Sequence, residues 1–454
     1  MSRRPRARWS ATSAAGRGGS GSPGRGWGDA RRQVLDNGLR VVTVPTPGLH
    51  SAMVALYVRA GSRHESAAVN GVSHFLEHLF FRGSAGFPDS VAMNALVEAA
   101  GGSLNGITAR DHGCYYTPLH PGELDTVLSV VGDLIRRPLL RDLDVEREVI
   151  LEEILDEVDA EGRDIDADNL LKRMAFAGHP LSFKIGGTPR ILKRLGLPEV
   201  RAHLRRFYVG ENLVLAVAGP LREAHVLEAA RRHLGALPRG RRSVDLPPPA
   251  WPRGPRVQLT PHDDAQAELS IGFPCPPEPH PDYPVHMVIR RILDDGLSSR
   301  LPFEVVEKRG LAYSLHAGID TFSDAGMFVV DGACNPRKLT RVVEAVLEVL
   351  ADLAVRPVGE EELSRVLRRH RTTLAFSLDS PAELVGWHGS GELLGAPESF
   401  EGRCRRVEAV TAADVQRVAR QTFTRRNLLA VVVGPGGEAA RRRVERAVLA
   451  SDLG

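Results

Sequence analysis

The sequence is poor in cysteine and contains no long apolar run. Its cysteines, Cys114, Cys275, Cys334 and Cys404, stand far apart, and no Cys-x-x-Cys pair occurs. This spacing argues against a disulfide framework or a cysteine zinc site, and it predicts reduced, mostly buried thiols in a cytoplasmic protein. No apolar run approaches the roughly 20 residues that a membrane-spanning helix needs, so the sequence predicts no membrane span.

A strong charge of either sign is also missing. The net charge of +3 is too close to neutral to indicate a nucleic-acid partner. Much of the positive excess is local, because residues 1–31 contain seven arginines and one acid, Asp29. Gly, Ser and Pro fill the remainder, which predicts a disordered basic tail. A transit peptide is the alternative, but the segment lacks aliphatic residues at helical spacing and the apolar region of a secretory signal.

Two similar segments recur 215 residues apart, one over residues 212–220 and the other over residues 427–435. They indicate an internal repeat of one α/β unit. A Pro-rich stretch between the copies has the composition of an extended linker. For a chain of 454 residues, we therefore predict an N-terminal domain over 32–237, a linker over 238–255, a homologous C-terminal domain over 256–440 and a tail over 441–454.

Residues 74–78 read His-Phe-Leu-Glu-His. On a helix, His74 and His78 face the same side one turn apart, and Glu77 borders that side. Two neutral imidazoles beside an acid suit a catalytic zinc centre, where Glu77 would take a proton from a water in the open position. A chance match is the alternative, because most single histidines are ordinary hydrogen-bonded polar groups.

A third ligand is expected on a second helix, which we predict over residues 143–176 with Asp144 as its N-cap. One stripe of this helix is apolar and contains Val145, Val149, Ile154 and Val158. A second stripe contains Glu146, Ile150, Glu153 and Glu157. Glu146 and Glu153 thus share a face, although an acidic solvated face is the more ordinary reading of such a run.

The His-Phe-Leu-Glu-His motif, followed by Glu-Arg-Glu-Val-Ile-Leu-Glu-Glu-Ile, resembles the pitrilysin/insulysin family of zinc metallopeptidases, the inverzincins. The resemblance is strongest to the branch of mitochondrial processing peptidase and its bacterial relatives. It implies that His74, His78 and Glu153 bind Zn²⁺, because Glu153 lies 79 residues beyond His74 and seven beyond Glu146. Glu146 then supports a ligand, and Glu152 is a surface residue.

The resemblance also implies a fold and an assembly. The fold is α+β, with two homologous α/β domains, each a mostly antiparallel sheet packed by helices, that form a half-clamshell. The C-terminal domain has no metal site. In this family two such pairs of domains enclose a chamber, so the chain is expected to form a homodimer or a heterodimer with a zinc-less homologue.

Two further site residues follow from the resemblance. Asn105 lies in a Gly-Gly-x-x-Asn-x-x-Thr strand that lines the family's cleft, and it is a candidate substrate contact; a turn-favouring Asn beside Gly106 is the alternative. Tyr313 matches a tyrosine that contacts the scissile region and is assigned a catalytic role, donating to the developing oxyanion. The family's arginine is expected seven positions earlier, where this sequence has Val306.

These features predict a zinc metalloendopeptidase that cleaves internal bonds of peptides or unfolded segments, with Glu77 as the proton carrier and Zn²⁺ as its cofactor. One alternative is a zinc-binding subunit of a heterodimeric processing complex that is inactive alone. Another is a structural or chaperone-like homologue, since the core subunits of the respiratory bc1 complex share this fold and have largely lost the zinc motif.

Overall fold

The computed structural model describes residues 29–454, in which the strands form one six-stranded and one five-stranded sheet. The strands of the first sheet are β1 (Arg31–Val34), β2 (Arg40–Pro45), β3 (Ala52–Val58), β4 (Asn105–Thr108), β5 (Gly113–Leu119) and β6 (Leu213–Gly219). Those of the second sheet are β7 (Arg256–Pro261), β8 (Ala267–Cys275), β9 (Ala312–Thr321), β10 (Gly326–Cys334) and β11 (Leu429–Gly434).

The two sheets repeat one strand order. The first runs β1-β2-β6-β3-β5-β4 and the second runs β7-β11-β8-β10-β9. Each contains one parallel pair, β2 with β6 and β7 with β11, and all other pairs are antiparallel. A parallel pair needs a long crossover, which the intervening elements provide. Because β6 and β11 contain the repeated segments and hold equivalent positions, the predicted fold class of two homologous, mostly antiparallel sheets packed by helices is confirmed.

Helices fill the connections between the strands. In the first half they are α1 (Val72–Phe80), α2 (Ser90–Ala99), α3 (Leu124–Arg136), α4 (Leu143–Leu155), α5 (Ala167–Ala175), α6 (Pro189–Leu192), α7 (Leu197–Phe207) and α8 (Glu223–Leu234). In the second half they are α9 (Tyr283–Leu293), α10 (Leu339–Val355), α11 (Glu360–Ser377), α12 (Pro381–Leu394), α13 (Phe400–Glu408), α14 (Ala412–Thr422) and α15 (Glu438–Ala450). None of these helices within residues 29–454 is both long and apolar enough to cross a bilayer.

One helix from each half of the chain packs against the sheet of the other half. α12 covers one face of the first sheet through Leu384 and Leu393. In return, α5 covers one face of the second sheet through Leu170 and Leu171. Strands that are apolar on both faces require a layer on each side, and these two helices supply the second layer. The apolar cores therefore extend across the boundaries drawn at 32–237 and 256–440.

Asp245 in the linker forms side-chain contacts with both halves of the chain. The carboxylate of Asp245 accepts hydrogen bonds from Arg59 and from Ser323, and its Oδ1 lies 2.8 Å from Nε2 of His64. Beside it, the buried guanidinium of Arg63 donates to both carboxylate oxygens of Asp324, at 2.9 and 3.1 Å. These bonds join the segment before α1 to the linker and to the second domain.

Residues 143–176 form two helices, and the single helix that we predicted over this range is wrong. α4 ends at Leu155 and α5 begins at Ala167, with an isolated bridge between Val158 and Asp164. Oδ1 of Asp159 accepts hydrogen bonds from the backbone N–H groups of residues 161 and 163, at 3.0 and 2.8 Å. Such side-chain bonds stabilise a turn at the expense of a helix, which explains the break.

The predicted apolar stripe of α4 is wrong for its first two members. Val145 and Val149 are 52% and 41% exposed, whereas Ile154 of the same stripe is buried. In the first half of α4 the buried residues are Glu146 and Ile150 of the acidic stripe, while Glu153 of that stripe is exposed. The predicted N-cap is displaced as well: Asp142 occupies the N-cap position, and Asp144 lies inside the helix.

Of the two segments that we set apart as tails, the structure describes only part of the first and all of the second. Residues 1–28 of the predicted basic tail lie outside the described residues, and Arg31 already begins β1. At the other end, the boundary at residue 440 falls inside α15. Val444 and Val448 on α15 are buried against the second core, so apolar packing holds this helix to the domain.

Candidate metal centre

Helix α1 presents His74, Glu77 and His78 at the surface of the first core. Its remaining face is apolar and fully buried through Phe75, Leu76, Leu79 and Phe80. Packing of that face fixes the rotation of the helix about its axis, and the histidine pair at i and i+4 consequently faces outward on one side.

The histidines converge with an acid from α4. Nε2 of His74 and Nε2 of His78 lie 3.3 Å apart. Oε2 of Glu153 lies 3.8 Å from the first nitrogen and 3.6 Å from the second. Ligands about 2.05 Å from a tetrahedral ion are separated by about 3.3 Å, so the nitrogen spacing suits zinc. Within residues 29–454, no other set of three or more His, Cys, Asp or Glu ligand atoms gathers within 4.8 Å.

Glu146 links the other ring nitrogen of His78 to α4. Oε2 of Glu146 lies 2.9 Å from Nδ1 of His78, and the other carboxylate oxygen accepts a hydrogen bond from Arg82. A carboxylate on Nδ1 keeps the proton there and leaves Nε2 free as a ligand. The structure thus places Glu146 where support of a zinc ligand requires it.

His74 is held in the neutral form that a metal needs. Burial, together with the neighbouring His78, lowers the pKa of His74 to about 4. Glu153, by contrast, has a half-exposed side chain. The donor set therefore combines a partly buried imidazole pair with a carboxylate on the open side, and these residues fit Zn²⁺ with one side accessible to substrate.

Two residues that sequence reasoning passed over hold Glu77. Thr108 donates its hydroxyl hydrogen bond to Oε2 of Glu77. Gly106 lies so close that a Cβ there would meet Oε1 of Glu77 at 2.8 Å. Burial raises the pKa of Glu77, and the bond from Thr108 opposes that rise. Both residues belong to the Gly-Gly-x-x-Asn-x-x-Thr pattern, which was the available signal, although only Asn105 was singled out from it.

Asn105 begins β4, the last strand at one edge of the first sheet. It pairs with Tyr116 on β5, and its Nδ2 donates to the Ser103 carbonyl oxygen at 2.7 Å. Within the described chain, the opposite edge of β4 has no strand neighbour. Because β4 also carries Gly106 and Thr108, this edge runs directly past Glu77.

Tyr313 lies in the second domain, near the start of β9, which is an edge strand of its own sheet. It is 89% exposed, and no hydrogen bond or ring contact in the described chain joins it to His74, Glu77 or His78. Val306 is half-buried in the π-helical segment Pro302–Glu307. The nearby Arg309 pairs with Glu348 at 2.7 Å. The structure therefore brings together the three predicted ligands and Glu77, and it gives no hydrogen bond or ring contact from Tyr313 to them within residues 29–454.

Two family models match the chain. Residues 40–188 match the model described as Insulinase (Peptidase family M16), and residues 194–369 match the model described as Peptidase M16 inactive domain. The chain belongs to peptidase family M16, as the resemblance in the sequence predicted. The second match covers the half in which the described residues contain no cluster of metal ligands.

Individual relatives agree with this assignment. The chain is 36% identical over 415 residues to a protein of Mycobacterium tuberculosis named as an uncharacterized zinc protease, covering 90% of this chain and 93% of the relative. It is 29% identical to the mitochondrial-processing peptidase subunit beta of Blastocladiella emersonii, covering 88% of each. Among solved structures, a protease from Helicobacter pylori has the same fold, with a TM-score of 0.81 at 22% identity, covering 90% of this chain and 99% of that one.

Proposed function

We propose that this chain is a zinc-dependent metalloendopeptidase that hydrolyses internal bonds of peptides or unfolded protein segments. The observation that carries the proposal is the convergence of two imidazole nitrogens, 3.3 Å apart, with Glu153, while Glu77 lies on the same helix face. The relatives named as zinc proteases support Zn²⁺ as the cofactor. The four free cysteines are buried, which supports a reducing, cytoplasmic location.

The bound Zn²⁺ would act as a Lewis acid on the scissile carbonyl and make water more acidic. Glu77 is the residue that accepts the proton of the attacking water and returns it to the leaving amine. Thr108 and Gly106 define where the Glu77 carboxylate lies, and the buried imidazole of His74 stays neutral.

The free edge of β4 provides a place for the substrate. An extended peptide can add to such an edge through main-chain hydrogen bonds, which explains a preference for unfolded segments over folded proteins. Asn105, at the start of that strand, is the proposed substrate contact. A peptide paired with β4 would pass Gly106 and Thr108, and therefore Glu77.

The experiment compares metal content and cleavage of an unfolded peptide in three variants. Glu153→Gln should lose most of its zinc, whereas Glu152→Gln, which changes the exposed neighbour on the same helix, should keep it. Glu77→Gln should keep zinc and lose about 10²–10⁴-fold in kcat, because the base is removed and the ligands remain. Zinc-free wild-type protein, or a fully active Glu77→Gln variant, would overturn the proposal.

A second candidate is a zinc-binding subunit that is inactive alone and works beside a zinc-less homologue. The observation that favours it is Val306, where the family pattern has arginine, together with the exposed Tyr313, which makes no hydrogen bond or ring contact to the candidate ligands in the described chain. In either case we propose a dimer, homomeric or heteromeric, that encloses the cleavage chamber. A structural or chaperone-like role would be indicated if zinc bound but no partner restored cleavage.

A further inference from the structure

The first turn of α1 is capped by a carboxylate from outside the helix. Oε1 of Glu65 accepts the backbone N–H of Ser73 at 2.8 Å, and Oε2 accepts the N–H of Gly71 at 2.7 Å. Oε2 also accepts a hydrogen bond from Nδ2 of Asn70 at 2.9 Å. The first N–H groups of a helix have no acceptor within the helix, so Glu65 satisfies donors that would otherwise be unpaired.

The residue at the N-cap position of α1 cannot supply the capping acceptor from its own side chain. The N-cap residue is Gly71, with φ of +98°, in the left-handed region. A Cβ on Gly71 would lie 2.8 Å from the carbonyl oxygen of Gly186. A serine, threonine or aspartate, the usual capping residues, would therefore be strained and would clash. Glu65 is only 6% exposed and contributes the acceptor that Gly71 lacks.

The position of the His74 ring depends on the first turn of α1, whereas the position of the His78 ring does not. His74 is the third residue of α1, and within residues 29–454 no group hydrogen-bonds to its buried Nδ1. His78 lies one turn further on, and Glu146 holds its ring by a hydrogen bond. The place of the His74 ring is consequently set by the backbone of the first turn, which Glu65 fixes.

We propose that Glu65 is a positioning residue for His74, which keeps the first turn of α1 in the conformation that brings Nε2 of His74 beside Nε2 of His78. The inference rests on the proposed function, in which both histidines bind Zn²⁺. Burial raises the pKa of the Glu65 carboxyl, and the bonds from Asn70, Ser73 and Gly71 oppose that rise. All of these partners donate N–H groups, so the ionised carboxylate is the form that satisfies them.

The test measures zinc affinity at 25 °C by competition with a chelator, together with the melting temperature of the zinc-free protein. Glu65→Gln keeps the size of the side chain but replaces one acceptor oxygen with a donor. The matched control is Asp89→Ala, which removes the cap of α2, where Asp89 accepts the N–H of Ala92 at 2.7 Å. Glu65→Asp, a milder change, provides a second variant if Glu65→Gln folds poorly.

Zinc affinity should fall by about 10–100-fold in Glu65→Gln, with a smaller loss in Glu65→Asp, because a ligand is no longer held in place. Asp89→Ala should lower the melting temperature yet leave zinc affinity within about twofold, because a lost cap costs stability without moving a ligand. Unchanged zinc affinity in Glu65→Gln, or an equal loss in Asp89→Ala, would overturn the inference. A wild-type chain that binds no zinc would instead overturn the proposed function.

Discussion

Nδ1 of His78 and Oε2 of Glu146 lie 2.9 Å apart, and the second oxygen of the same carboxylate accepts from Arg82. A carboxylate can accept both bonds at once, whereas an amide has only one acceptor oxygen. Glu146→Gln must therefore leave either His78 or Arg82 facing an N–H donor. We expect zinc affinity to fall by about 10–100-fold, measured by chelator competition. Glu148→Gln, an exposed change on the same helix, is the control and should leave the affinity unaltered.

The hydrogen bond from Thr108 to Glu77 predicts a kinetic effect without loss of metal. Thr108→Val keeps the shape of the side chain and removes the donor. A hydrogen bond to a charged group contributes about 1.5–3 kcal/mol, so kcat should fall by about 10–100-fold while zinc content stays constant. Thr126→Val, which breaks a similar bond from Thr126 on α3 to Glu123, the N-cap residue of that helix, should not change kcat. Loss of zinc in Thr108→Val would show that this threonine supports the metal residues and not the base.

The grouping of His74, His78 and Glu153 could be predicted from the sequence because it depends on short-range periodicity and on one recognisable spacing. His74 and His78 are one turn apart on a single helix, and Glu153 follows from the motif. The residues that position these side chains, Thr108 and Glu65, depend on contacts that no local sequence pattern predicts. Thr108 reaches Glu77 across 31 positions of the chain. Glu65 is only eight residues before Ser73, yet its role depends on a loop that brings it back over the helix end.

The features of the fold also divide into those that the local sequence determines and those that contacts between distant segments determine. The repeat at residues 212–220 and 427–435 could be predicted, because a recurring apolar segment is a local feature of the sequence. The exchange of α5 and α12 between the sheets was not, because the sequence of a helix does not say which of two apolar sheets it will cover. On α4, Val145 and Val149 are exposed although hydrophobicity alone predicts their burial, because Glu146 is the residue that turns inward to contact His78 and Arg82.

Asp245 predicts an acid-sensitive contact between the domains. Burial alone would raise the pKa of Asp245, but hydrogen bonds from His64 and Ser323 and the charges of Arg63 and Arg59 hold it well below its usual range. A carboxyl with a depressed pKa stabilises the fold at pH values above its unfolded pKa of about 3.9 and loses that contribution as the pH falls further. Asp245→Asn should therefore cost about 3–5 kcal/mol at pH 7, because it breaks a buried ion cluster.

The measurement is urea unfolding of wild type and Asp245→Asn at pH 7 and pH 3. The difference in unfolding free energy should be largest at pH 7 and should shrink at pH 3, where the wild-type carboxylate no longer contributes fully. Asp263→Asn, a change of an exposed carboxylate whose side chain makes no ion pair in the described chain, should track wild type at both values. A difference that does not change with pH would show that Asp245 acts through its shape and not its charge.

Val306 predicts how the chain assembles into an active enzyme. A valine has no donor for a carbonyl and no charge to hold a peptide, whereas arginine provides five N–H donors. In a homodimer both halves would lack that group, and a zinc-less partner with arginine could supply it. We therefore expect the purified chain to cleave an unfolded peptide weakly and Val306→Arg to raise kcat/KM, with Val306→Leu as the control for size. Strong cleavage by the chain alone, unchanged by the arginine, would contradict the heterodimer and indicate a homodimer that is complete by itself.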